Sequence, residues 1–85
     1  MSDWTELVLV IPCDEETGKM PSDDILSELQ VRLENLRWEQ LNPGTFKQSV
    51  YKDHIQTVLD KAGDLASMYG VEFWVYHSHK LAILT

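Results

Sequence analysis

Thr5-Glu6-Leu7-Val8-Leu9-Val10-Ile11-Pro12 is the stretch on which the fold turns. Its core is a run of five aliphatic residues, three of them β-branched, which favours extended backbone. Pro12 lacks an N–H and ends the run. An almost unbroken apolar segment of this length predicts a strand buried on both faces, and therefore central in its sheet.

Downstream, Cys13 to Met20 is polar, with Thr17-Gly18-Lys19 as its turn signal. It reads as an acidic loop. Pro21-Ser22-Asp23-Asp24 then reads as a helix start. Ser22 can accept hydrogen bonds from free first-turn amides, and two aspartates suit the positive end of the helix dipole. Ile25, Leu26, Leu29, Leu33 and Leu36 recur at helical spacing on one face, which predicts a helix to about Glu39 or Gln40. Asn42-Pro43-Gly44 breaks the chain. A second helix is expected from Thr45, where Gln48 completes a capping-box pattern, to Tyr69. Tyr51, Ile55, Val58, Leu59, Ala62, Leu65 and Ala66 form its apolar face, and Gly70 is placed to terminate it. Val71 to Tyr76 and Leu81 to Leu84 read as a hairpin around the polar His77-Ser78-His79-Lys80. The expected fold is α/β (α+β), with order β-α-α-β-β: a three-stranded sheet with two helices packed on one face.

Eighty-five residues predict one domain, spanning 1–85, with a modest core. A single cysteine, Cys13, cannot form an internal disulfide, which favours a reducing, cytoplasmic setting. The longest apolar run is far short of the ~20 residues a membrane helix needs. Net charge is −7, and its distribution is lopsided. Residues 1–45 carry ten acids against three bases, while residues 46–85 carry four of each. Such a surface disfavours direct binding to nucleic acid or anionic membrane, which needs basic patches. It suits a basic protein.

Few residues invite chemistry. His77 and His79, with Cys13 or His54, have the types that zinc favours, but His-x-His alone is an unspecific pattern and predicts no metal site. Cys13 is followed by Asp14-Glu15-Glu16, which opposes the thiolate a nucleophile requires. Thr17-Gly18-Lys19 lacks the first glycine and the final hydroxyl of a phosphate-binding loop. No catalytic residue and no cofactor are expected; a small metal- or thiol-dependent enzyme using Cys13 and the histidines is the least favoured alternative.

Recognition is the remaining class. Val31 and Trp38, seven apart, are expected on the outer side of the first helix with Glu34 between them, opposite the leucine stripe; for Trp38 the equal alternative is that it falls at the helix end and folds back into the core. The expected contact set is Asp14, Glu15, Glu16, Asp23, Asp24, Glu28, Val31, Glu34 and Trp38. The function this suggests is a stoichiometric inhibitor or antagonist of a basic, nucleic-acid-binding protein. Its carboxylates would occupy a site built for phosphates, as immunity proteins, antitoxins and phage antagonists of host defence do by charge and size. A self-associating subunit, dimeric through the outer face of the first helix, is the alternative.

Overall fold

The computed structural model describes residues 3–13, 18 and 20–85. The element order is β1 (Trp4–Val10), α1 (Asp23–Asn35), β2 (Glu39–Asn42), β3 (Thr45–Tyr51), a single 3-10 turn (Lys52–His54), α2 (Ile55–Tyr69), β4 (Phe73–His77) and β5 (Lys80–Leu84). The strands form one five-stranded antiparallel sheet in the order β2-β3-β1-β4-β5. The α+β class and the two helices are as the sequence implies, but the sheet has five strands rather than three.

The central position expected of β1 is found: it lies between β3 and β4. Leu9 stands opposite Phe46 on one side and Val75 on the other. Its burial is one-sided, however. Leu7, Leu9 and Ile11 point into the core with Phe46, Val50, Phe73 and Val75, while Val8 and Val10 on the other face are only half-buried. Leu29 and Leu33 of α1 and Ala62, Leu65 and Ala66 of α2 close the same core. Both helices therefore cover one face of the sheet and leave the other bare.

Residues 45–51 are a strand, not the first turns of a helix. Asn42-Pro43-Gly44-Thr45 is a tight hairpin turn with Asn42 opposite Thr45. Proline supplies the fixed φ of the first loop position, and Gly44, at φ 89°, supplies the positive φ that a type II turn needs at the second. Gly44 also admits close approach: its carbonyl accepts from the Ile11 amide at 2.8 Å, and a Cβ there would lie 2.9 Å from the Met20 methyl. The pairing of Thr45 to Tyr51 with β1 takes the backbone groups that a helix would have used. α2 begins only at Ile55.

α1 likewise ends early, at Asn35. The Arg37 amide donates to the Glu34 carbonyl and the Trp38 amide to the Leu33 carbonyl, both at 2.9 Å. This is the Schellman arrangement, with Arg37 in the left-handed region at φ 75° where glycine is usual. Gly70 closes α2 in the same way, with the Val71 amide on the Ala66 carbonyl and φ 65°. The reversal at Arg37 swings Trp38 back onto Leu33. Trp38 is 3% exposed and belongs to the core, which corrects its expected place on the outer helix face.

Two stability measurements follow. Arg37→Gly removes a left-handed strain of about 1 kcal/mol and should raise the melting temperature by roughly 4–8 °C; an unchanged or lowered value would show that the arginine is not strained. In urea denaturation, Trp38→Ala should cost about 3–5 kcal/mol, whereas Val31→Ala on the exposed face should stay within about 0.5 kcal/mol.

Candidate functional site

The structure separates two surfaces of opposite character, one on each layer. The first is the outer side of α1. Ser22 caps the helix, its hydroxyl accepting from the Ile25 amide at 3.4 Å, which places Asp23 and Asp24 in the first turn beside the positive dipole end. At about 100° per residue, Asp23, Asp24, Glu28, Val31 and Glu34 share an outward arc opposite Leu29 and Leu33. All five are exposed, Val31 by 58%. Among the described residues none of these four carboxylates enters an ion pair; Glu34 only accepts a hydrogen bond from Gln30. Of the expected contact set, this face keeps Asp23, Asp24, Glu28, Val31 and Glu34 and loses Trp38. Asp14, Glu15 and Glu16 lie outside the described residues.

The second surface is the bare face of the sheet, which sequence reasoning missed. The register places Trp4 beside Tyr51, Val8 between Lys47 and Tyr76, and Val10 between Thr45 and Trp74. On β5, Ile83 pairs with Trp74 and Leu81 with Tyr76 on the same side. Trp4, Tyr76, Leu81 and Ile83 are exposed, Trp4 by 61% and Ile83 by 55%. Trp4 and Tyr51 stack edge to face with ring centroids 5.8 Å apart. Two of the flanking carboxylates are paired, Glu39 with Lys47 at 3.8 Å and Asp3 with Lys52 at 3.4 Å, while the exposed Glu6 on this face is in no ion pair among the described residues. Strands spaced ~4.8 Å apart and ~20 Å long make this face roughly 500 Å² in plan. The apolar part of it, over β1, β4 and β5, is smaller than this and lies within the range of the largest patch on a typical monomer. The signal in the sequence was the alternation of Thr45 to Tyr51, without which β1 has no neighbour on that side.

The histidines and Cys13 do not converge. β4 ends at His77, Ser78 takes a positive φ of 56° in the two-residue turn, and His79 follows it, so the two rings do not share a continuous strand. His54 precedes α2, and Cys13 is exposed past β1. Among the described residues no group of three or more His, Cys, Asp or Glu side chains could hold a metal ion. Among them also, no helix is long and apolar enough to cross a membrane. No protein-family model, curated protein or solved structure matches this chain.

Proposed function

We propose that this chain is a non-catalytic protein-interaction module. In this reading a second copy covers the bare sheet face, and the acidic outer side of α1 docks a basic protein and blocks or adapts it. The observation that carries the reading is the uncovered sheet face, to which Trp4, Val8, Val10, Trp74, Tyr76, Leu81 and Ile83 contribute from three adjacent strands. A sheet face exposed to water is ordinarily polar, alternating with the buried one. This one is apolar over β4, β5 and the adjoining Val8 and Val10 of β1, and polar toward β3, where Glu6, Lys47 and Ser49 lie.

Charge placement favours a copy of the same chain as the occupant. The protein as a whole is strongly acidic, and like charge opposes self-association. On the sheet face, however, Glu39 and Asp3 are paired with lysines, so repulsion between two such faces is confined to the exposed Glu6, which lies between Trp4 and Val8. The unpaired carboxylates of α1 lie on the far layer and stay distant from each other in a face-to-face pair. Two faces bury on the order of 1,000 Å², at the lower end of specific interfaces. A two-fold arrangement uses the same patch on both copies and closes.

The acidic side of α1 then points outward from both ends of the pair. Its carboxylates, with Val31 among them, suit a cationic surface such as a phosphate-binding site on a nucleic-acid-binding protein. Long-range attraction speeds such encounters and is screened by salt.

Sedimentation should give twice the chain mass of 9.8 kDa. Tyr76→Lys with Ile83→Lys should give the monomer with unchanged circular dichroism; a wild-type monomer at high concentration sinks the sheet-face pairing. Separately, a basic protein captured from cell extract at low salt should be released as salt rises. It should not be captured by the Asp23, Asp24, Glu28 and Glu34 to lysine variant, and capture that survives that reversal removes the acidic face from the proposal.

A further inference from the structure

A cleft of about 240 Å³ lies where the end of α1 meets the start of α2, away from both surfaces described above. Its walls are Asn35 to Trp38, Gln48 of β3, and His54, Thr57, Val58 and Lys61. The last four recur at i, i+3, i+4 and i+7, so one stripe of α2 faces it.

The electrostatics of this cleft run against those of the whole protein. Arg37, His54 and Lys61 line it, and no carboxylate does. Among the described residues none of the three is in an ion pair. The positive end of the α2 dipole lies at this side; its first turn holds no acidic residue, and Asp53 immediately before the N-cap His54 offsets part of it. The end of α1 would ordinarily contribute the opposite sign through its free carbonyls. Here those of Leu33, Glu34 and Leu36 accept from the Trp38 amide, the Arg37 amide and the Gln48 side chain. Cationic groups are left to dominate the site.

One further feature bears on a ligand. Trp38, in its wall and almost wholly buried, has an indole N–H without an acceptor; the Gln48 Oε1 beside the same cleft is itself an acceptor and takes no part in holding an anion. Buried polar atoms left unsatisfied are uncommon and costly.

We infer that this cleft binds a small oxyanion, a carboxylate or phosphate group on a compact metabolite. Arg37 and Lys61 are its charge partners, and His54 and the Trp38 indole are hydrogen-bond donors. Arginine offers the planar fork that both oxyanions fit, and lysine a mobile point charge. The volume lies below that of pockets for drug-sized ligands, which restricts the occupant to a small molecule.

The test is a titration followed by ¹H–¹⁵N NMR, with the Trp38 indole resonance assigned by Trp38→Phe. The probes are inorganic phosphate, citrate and sodium chloride at matched ionic strength. Saturable movement of the Trp38 indole and the Thr57 and Lys61 amides with phosphate identifies a phosphoryl ligand, and with citrate a carboxylate. Arg37→Gly suits the local backbone and Lys61→Gln is exposed on α2, so both variants keep the fold while each weakens binding about tenfold. Movement no greater than with chloride, or equal affinity in the double variant, overturns the inference.

Discussion

Pairing of β1 along both of its edges is the constraint on which the other elements depend. Leu7, Leu9 and Ile11 are fully or almost fully buried and stand against β3 on one side and β4 on the other. With the central strand fixed in register, the inner residues of β3 and β4 fall on the same face, because side chains alternate strictly along a strand. α1 and α2 then have one apolar surface to cover, and they cover it together. The amide of Ile11, just past β1, is tied to the Gly44 carbonyl, which couples the end of β1 to the hairpin turn.

That arrangement explains why the molecule is two-sided. The helices spend their leucines and alanines on one face of the sheet, and among the described residues no helix or strand covers the other. The polar outer face of α1 and the apolar outer face of the sheet end up on opposite layers, with the cationic cleft at the seam between the helices. Charge and hydrophobicity, mingled in the sequence, are sorted by a single topological fact.

Much of this was legible before folding was considered. The aliphatic run of β1, the serine cap and leucine stripe of α1, the apolar stripe of α2 and the hairpin of β4 and β5 each carried a local signal that tertiary structure did not contradict. Gly70 announced its own reversal because glycine occupies the left-handed region at no steric cost. Arg37 makes the same reversal without announcing it, so α1 seemed to continue and Trp38 seemed to face water. Thr45 to Tyr51 misled for a different reason. Thr45 and Gln48 mimic a helix cap, and Tyr51 lies four residues before Ile55, so the local pattern pointed to helix. The Pro43-Gly44 turn and the alternation of Phe46, Gln48 and Val50 favour a strand only once β1 is available as partner. The placement of Asp23, Asp24, Glu28, Val31 and Glu34 on one outward arc of α1 was readable from helical spacing. The sheet face was not, because its register depends on pairings between distant segments.

A central strand that precedes both of its neighbours in the sequence has a temporal consequence. During synthesis the second neighbour of β1, residues 73–77, is added only after α2 has been made. Until then one edge of the most aliphatic segment stands open to any extended peptide nearby, as unpaired strand edges do. A ribosome pausing between residues 51 and 73 would hold that edge exposed. The three-stranded nascent form therefore carries an open edge on its most aliphatic strand that the finished molecule closes with β4.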